Sequence, residues 1–165
     1  MSGKLLIIFM LCGMIRASPV FAPNIPYRAI SAEARVWGKK YHIAPRLAEI
    51  ILTAADRHKI PRHIAMRLIQ RESSFRVRVR GKAGELGLAQ VLYSTAVSVR
   101  PGVTRAQMLT PYINIDIGLM YLKNLNRRYR GDWHKTLVAY NQGGTAVANG
   151  THVSSYSQSV LRMSN

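Results

Sequence analysis

Cysteine and acidic residues are both scarce in this chain of 165 residues, and each scarcity narrows the possible functions. Cys12 is the only cysteine, which excludes an intrachain disulfide and a site built from several thiolates. Seven Asp and Glu residues stand against 24 Lys and Arg residues, so the formal net charge is +17. Such an excess favours polyanionic partners: nucleic acid, an anionic membrane surface or an anionic cell-wall polymer.

The N-terminus lacks an apolar run long enough for an ordinary transmembrane helix. Residues 5–15 are mostly apolar but number only eleven, whereas a spanning helix needs about 20. A basic residue before this run and small residues after it predict a secretory signal peptide over residues 1–22, cleaved after Ala17 or Ala22. An uncleaved anchor or a buried N-terminal helix is the alternative. The signal predicts an exported protein, periplasmic or extracellular, with no stable membrane span after cleavage.

Prolines, glycines and capping residues divide the remaining chain into helices. Residues 23–41 are interpreted as a lead-in whose short amphipathic segment docks on the domain, and residues 42–165 as a single mostly α-helical domain. Helices are predicted to begin at the prolines Pro45, Pro61 and Pro111 and after the N-cap Asp132. A final helix is predicted from about Ser154. The helix from Pro111 is expected to run to about Arg130, with apolar side chains along one side, and the last helix to end near Met163.

Glu72 continues an apolar stripe on the second of these helices. Ile64, Leu68 and Glu72 are four residues apart, so they lie on one face. Desolvation and the C-terminal end of the helix dipole both favour the neutral carboxyl, and a carboxyl protonated near neutral pH can serve as general acid and then as base. The alternative is a helix-end glutamate that turns to solvent or pairs with Arg71 or Arg76.

Two sequence blocks carry a resemblance to a known family. The first is RESSFRVRVRGKAGELGLAQ, residues 71–90, in which three glycines indicate a tight loop. The second is NIDIGLMYLKNLNRRYRGDWHKTLVAYNQGG, residues 114–144. Together, in this order and separation, they resemble the lytic transglycosylases of the SLT type, in the lysozyme-like superfamily. The resemblance implies a lysozyme-like single domain of about six to eight helices, with a glycine-rich loop after the catalytic helix.

The resemblance also implies an activity, a substrate and site residues. The activity is non-hydrolytic cleavage of the MurNAc–GlcNAc β-1,4 bond of peptidoglycan glycan strands, which leaves a 1,6-anhydro-MurNAc end without a metal or other cofactor. Glu72 is the expected acid, and the hydroxyl of Tyr140 is expected beside it, orienting the carboxyl and binding the N-acetyl group. A tyrosine packed in the core is the alternative for Tyr140. Gln90, Leu92 and Asn141 are weaker candidates for substrate binding, and for Asn141 the sequence favours capping a helix before the Gly143–Gly144 turn over contact with sugar.

Several positions depart from the family pattern. Gly81 stands where family members often have a serine, Glu85 follows Gly84 where alanine is usual, and Ala89 replaces a methionine. Glu85 is expected to be solvated or paired with Lys82 or Arg80, so the residues offer no convincing second catalytic carboxylate. These departures bear on substrate preference and rate more than on the class of reaction.

Other features allow rival interpretations. Arg76, Arg78 and Arg80 alternate with valines and form either a solvated basic face or a groove for anionic wall polymer. The five histidines show no ligand spacing and are expected on the surface or at its boundary. A hydrolytic lysozyme-type muramidase is the nearest rival, followed by a non-catalytic wall-binding module of a secretion or conjugation apparatus. Partners in secretion, conjugation or phage machinery are compatible with the sequence. The export signal and the lack of a base-reading motif count against nucleic acid.

Overall fold

The computed structural model describes residues 29–162, a range with eight α-helices, one short 3-10 helix and no β-strand. The α-helices are α1 (Ala32–Tyr41), α2 (Pro45–His58), α3 (Arg62–Ser73), α4 (Tyr93–Val99), α5 (Pro111–Arg128), α6 (Trp133–Gln142), α7 (Gly144–Ala148) and α8 (Ser155–Leu161). The 3-10 helix is Gln107–Leu109, immediately before α5. This architecture confirms the mostly α-helical fold class and the number of helices expected from the sequence.

α5 is the central helix of the described domain. Every residue from 113 to 119 is buried, which corrects the expectation that only one side of this helix faces the core. A helix that is buried all round needs neighbours on every side, and α2, α4 and α6 pack against it. Glycine is present in this run at Gly118, where an added Cβ would meet the Ala89 side chain. The loop before α4 therefore lies directly against α5.

Two further helices, α6 and α8, begin at capping residues and pack beside this centre. α6 begins at the predicted N-cap, where the Asp132 side chain accepts a hydrogen bond from the Lys135 amide at 3.0 Å. α8 packs on both α3 and α6, and Ser154 and Ser157 cap its start reciprocally. α8 is thereby brought beside the end of α3, although the two helices are far apart in the sequence.

α1 docks on α2, as the amphipathic segment of the lead-in was expected to do. Ser31 caps α1 by accepting from the Ala34 amide at 3.1 Å, and its hydroxyl donates to Glu49 of α2 at 2.6 Å. Ala34 is fully buried in the main core. The predicted signal peptide, residues 1–22, lies outside the described residues. No helix within residues 29–162 combines the length and the apolar character needed to cross a membrane.

An ion pair between the exposed Arg57 and the buried Asp116 joins α2 to α5. Asp116 Oδ1 accepts a hydrogen bond from Arg57 at 2.7 Å and lies 2.9 Å from His58 Nε2. His58 is only 7% exposed, so the prediction that each histidine lies at the surface or its boundary is wrong for this one. Burial alone would raise the pKa of Asp116, but the His58 and Arg57 hydrogen bonds outweigh it and hold that pKa below its ordinary value.

Candidate active site

Glu72 lies in the last turn of α3, at the end of the buried stripe that its sequence spacing predicts. Ile64 and Leu68, on the same face, are 2% and 0% exposed. The helix ends there because the next two residues, Ser74 and Phe75, adopt left-handed backbone with φ of 49° and 62°. The fold therefore presents a carboxyl at a helix C-terminus, where the aligned peptide dipoles disfavour negative charge.

The surroundings of Glu72 favour its protonated form. Burial raises the pKa of Glu72 above the ordinary value, and the charge of Glu85 adds to this increase. The hydroxyl of Tyr156 donates a hydrogen bond to Glu72 Oε1, and this bond and the charge of Arg71 oppose the increase without cancelling it. The alternative suggested by the sequence, an ion pair of Glu72 with Arg71 or Arg76, does not form within the described residues. Glu72 is thus a half-buried carboxyl that can hold a proton.

The loop between α3 and α4 is fixed to the core by Asn114 of α5. The Asn114 amide donates to the carbonyls of Leu86 and Met108 at 2.8 and 2.9 Å and accepts from the Ala89 amide at 2.7 Å. Gly87, with φ of +72°, has no room for a side chain, because a Cβ there would lie 2.6 Å from Asn114. This side chain therefore sets the position of the loop that faces Glu72.

A cleft of about 540 Å³ lies between this loop and α6. It contains all five residues that the sequence proposes for the site, although they come from three separate segments of the chain. Its lining residues are Glu72, Gly81, Lys82, Glu85, Gln90, Val91, Leu92, Thr95, Tyr121, Ala139, Tyr140, Asn141, Gln142 and Gly143. A carboxyl, a lysine, tyrosine rings and amide groups in one cleft form a surface suited to a polar, ring-shaped ligand.

Tyr140 lies in the cleft but does not make the hydrogen bond expected of it. Its hydroxyl donates to the carbonyl of Ala89 at 2.8 Å, and its ring packs against Tyr121 with centroids 5.4 Å apart. Burial and then the charge of Glu72 raise the pKa of Tyr140 well above its ordinary value, so the hydroxyl stays protonated near the acid. In this structure Tyr140 joins α6 to the loop, and Tyr156 supplies the hydrogen bond to Glu72.

The three weaker candidates for substrate binding, Gln90, Leu92 and Asn141, differ in their exposure and in the contacts of their side chains. Gln90, with φ of 44°, uses its amide to brace the loop by donating to the Gly87 carbonyl at 2.7 Å. Leu92 is 40% exposed, which leaves an apolar surface open in the cleft. Asn141 is exposed within α6, and the helix ends two residues later at Gly143, whose φ is +84°. The capping role considered for Asn141 therefore belongs to Gly143.

The charged residues of the loop separate into two groups. Arg76, Arg78 and Arg80 are all exposed, and the cleft walls formed by described residues include none of them, which favours the solvated basic face. Lys82 and Glu85 do line the cleft. Glu85 accepts a hydrogen bond from the Ala83 amide at 3.0 Å, and within residues 29–162 it forms no ion pair with Lys82 or Arg80. Of the two alternatives that the sequence left open for Glu85, the ion pair does not form, and the side chain is partly exposed to solvent.

Tyr156 is the site residue that sequence reasoning missed. Its four-residue spacing from Val160 predicts that it is buried, and both are 7% exposed or less. Nothing local indicates its partner, however, because Glu72 lies 84 residues earlier and only the packing of α8 on α3 brings the two together. Burial and the charge of Glu72 raise the pKa of Tyr156 well above its ordinary value, so its hydroxyl remains a donor.

Comparisons with known proteins agree with the resemblance. The Transglycosylase SLT domain family matches residues 49–158. The soluble lytic murein transglycosylase of Escherichia coli (strain K12) is 28% identical over 134 residues, which are 74% of this chain and 21% of that protein. The membrane-bound lytic murein transglycosylase C of Edwardsiella ictaluri is 30% identical over 118 residues, which are 63% of this chain and 33% of that protein.

A solved structure shows the same fold. The crystal structure of the 70 kDa soluble lytic transglycosylase from Escherichia coli superposes with a TM-score of 0.58 at 24% sequence identity. The match covers 78% of this chain and 24% of that one. The chain thus spans between a fifth and a third of the length of the relatives it matches.

Proposed function

Because the chain belongs to the Transglycosylase SLT domain family, we propose that it is a peptidoglycan lytic transglycosylase. The observation that carries this proposal is the position of Glu72: a half-buried carboxyl with a raised pKa, held by Tyr156 in a cleft. A carboxyl that is protonated when substrate binds can donate its proton to a glycosidic oxygen. The substrate is the glycan strand, cleaved between MurNAc and GlcNAc.

The proposed reaction needs one residue that gives and takes back a proton. Glu72 donates its proton to the glycosidic oxygen as the bond from that oxygen to C1 of MurNAc breaks, and GlcNAc leaves with a free hydroxyl. The N-acetyl carbonyl oxygen of MurNAc stabilises the positive charge at C1. The Glu72 carboxylate then removes the proton from the O6 hydroxyl while O6 bonds to C1. A 1,6-anhydro ring results, no water is consumed, and Glu72 is protonated again.

Residues around Glu72 and in the cleft have supporting roles in this proposal. The Tyr156 hydroxyl stabilises Glu72 while it is a carboxylate, because a hydrogen bond to a charged acceptor is stronger than one to a neutral acceptor. Tyr140 holds the loop that carries Ala89 against α6. Leu92 offers an apolar surface to a sugar face, and Gln90 and Asn141 offer amide groups to its polar edges. The enzyme is proposed to be exported to the wall, in keeping with the predicted signal peptide.

Product masses test this proposal against its two rivals. Purified protein is incubated with peptidoglycan, and the released sugars are weighed by mass spectrometry. Cleavage by a lytic transglycosylase gives MurNAc ends that are one water lighter than those produced by a reference muramidase. Hydrated ends would instead assign the chain to hydrolytic muramidases. Co-sedimentation with the wall, without released sugars, would make it a non-catalytic wall-binding module.

A further inference from the structure

The Glu85 carboxylate fills the space in the cleft wall that a side chain at Gly81 would need. A Cβ added at Gly81 would collide with Oε2 of Glu85 and would lie 2.8 Å from Oε1 of Gln90. The backbone at Gly81 is outside the left-handed region, so its conformation suits any residue and only space excludes a side chain. Gly81 therefore leaves room for the Glu85 carboxylate to point into the cleft.

The carboxylate of Glu85 is held in this position by the backbone of its own loop. The Ala83 amide donates to Oε2 at 3.0 Å, and the Gly81 amide donates to the Glu85 carbonyl at 2.9 Å. One backbone donor leaves most of the acceptor capacity of a carboxylate unused, since its two oxygens provide about four lone-pair sites. Glu85 therefore faces the cleft as a fixed acceptor.

Glu85 also lies close enough to Glu72 for their charges to interact, since the charge of Glu85 contributes to the raised pKa of Glu72. Both carboxyl groups line the same cleft. An acceptor that shares the cleft with the acid is placed to contact a sugar ring bound beside the acid. The donors on an N-acetylated sugar ring are its hydroxyl groups and the N–H of its acetamido group.

We propose that Glu85 is a substrate-binding residue that accepts hydrogen bonds from the acetamido N–H or hydroxyl groups of the sugar beside Glu72, and that Gly81 makes this possible. The inference rests on the proposed function, since it names a further contact in the same cleft. Glu85 gives the cleft a charged acceptor at the position where a side chain on residue 81 would otherwise project. Hydrogen bonds to charged groups contribute about 1.5–3 kcal/mol each, so this contact accounts for an affinity difference of roughly ten- to a hundredfold.

Binding of a defined oligosaccharide tests the proposal without requiring turnover. The probe is the tetramer of N-acetylglucosamine, titrated by calorimetry into the Glu72→Gln protein and into the same protein with Glu85→Gln added. Glu72→Gln with Glu33→Gln is the matched control, because it makes the same charge change on α1. We expect Glu85→Gln to weaken binding by at least ~10-fold and the control to leave it unchanged. Equal affinity in all three proteins, or no binding by Glu72→Gln itself, would overturn the proposal.

A double-mutant cycle tests the steric part of the inference. Gly81→Ala should weaken tetramer binding when Glu85 is present, because the new methyl group displaces the carboxylate, and should have little further effect beside Glu85→Ala. Circular dichroism and thermal unfolding verify that each variant is folded. Additive losses from the two substitutions would show that Gly81 does not act through Glu85.

A separate assay, cleavage of the wall by the wild-type protein, tests the proposed function. A wild type that binds the tetramer through Glu85 but releases no sugars would contradict the proposed function and support the role of Glu85. A wild type that cleaves the wall, while the Glu85 variants bind the tetramer normally, would support the proposed function and contradict the role of Glu85.

Discussion

At the scale of single residues, Glu72 keeps its proton to a higher pH than an exposed glutamate does, because desolvation exceeds the opposing Tyr156 hydrogen bond and Arg71 charge. Its pKa is raised, so a larger fraction of the protein carries the acid form near neutral pH than an exposed glutamate would allow. The same shift opposes folding. Because the folded state binds this proton more tightly than the unfolded state does, the folded protein becomes less stable as pH increases above the ordinary glutamate pKa of about 4.3. The site is therefore maintained at some cost in stability.

Replacing Glu72 with Gln should abolish wall lysis and leave the fold intact. The amide has nearly the same shape but cannot cycle a proton, so we expect a loss of at least ~10³-fold in the rate of sugar release. At pH 7 the variant should unfold at the same temperature as the wild type or a higher one, because it removes the carboxyl whose raised pKa opposes folding. Residual lysis above about a tenth of wild type would remove Glu72 as the acid.

Replacing Tyr156 with Phe should slow turnover and move the pH profile. In the wild type the Tyr156 hydrogen bond favours the carboxylate form of Glu72. Removing this bond therefore raises the pKa of Glu72 further. The alkaline limb of kcat should shift to higher pH, with kcat reduced about tenfold or more, as expected for a charged hydrogen bond of about 1.5–3 kcal/mol. The measurement is kcat against pH on solubilised glycan strands.

Tyr140→Phe is the matched control for Tyr156. The substitution removes another buried hydroxyl near Glu72, but that hydroxyl donates to the Ala89 carbonyl. We expect a lower unfolding temperature and an alkaline limb at the wild-type position. If the limb moved in Tyr140→Phe and stayed in place in Tyr156→Phe, the roles assigned to the two tyrosines would be reversed.

At the scale of helices, the sequence predicts those elements that have local signals and misses those that packing creates. Pro45 and Asp132 fixed the starts of two helices, and the structure confirms both. α4 and α7 were not predicted, because seven and five residues are too few to show a helical period. α4 also contains Thr and Val, which are weak helix formers, and it is held by packing on α5.

The site follows the same division. Glu72 was predictable because its spacing from Ile64 and Leu68 lies within one helix. The contact of Tyr156 with Glu72 was not, because it depends on α8 packing against α3. The entry of Glu85 into the cleft depends on the backbone path of an irregular loop, and neither composition nor period encodes that path.

The ion pair between α2 and α5 should make the fold sensitive to acid. The pKa of Asp116 is lowered on folding, so its stabilisation is present above the ordinary value of about 3.9 and is lost as pH falls below it. Asp116→Asn should reduce the free energy of unfolding at pH 7 by about 1.5–3 kcal/mol. The difference from wild type should shrink as pH falls below that value, when measured by denaturant titration.

Asp132→Asn is the control for this substitution. It makes the same chemical change at the N-cap of α6, where asparagine caps as well as aspartate, and should change the unfolding free energy by less than about 0.5 kcal/mol. An Asp116→Asn protein as stable as this control at pH 7 would show that the charged interactions of Asp116 contribute nothing net to folding.

At the scale of the whole molecule, the net charge of +17 should make wall lysis sensitive to salt. An anionic wall attracts a cationic protein over a range set by ionic screening, about 10 Å at 0.1 M salt and 3 Å at 1 M. Lysis at low substrate should fall as salt increases, whereas cleavage of a short neutral glycan should change little. Turbidity loss of wall suspensions and product release from the glycan measure the two rates.

The exposed arginines contribute to this attraction only as part of the total charge. Because Arg76, Arg78 and Arg80 lie outside the cleft walls, replacing all three with Gln should leave neutral-glycan cleavage unchanged and retain most of the salt dependence. A flat salt response in the triple variant would place the wall-binding groove on this face. A flat response in the wild type would show that net charge has no part in wall recognition.

The absence of water from the reaction is the central claim, and isotope labelling tests it most directly. Wild-type protein digests peptidoglycan in water enriched with heavy oxygen, and the new MurNAc ends are weighed by mass spectrometry. A reaction in which Glu72 regains its proton from the O6 hydroxyl as O6 bonds to C1 predicts anhydro ends that carry none of the heavy label. New ends that carry one heavy oxygen each would show that water attacks C1, and would contradict the one-carboxyl, ring-closing mechanism.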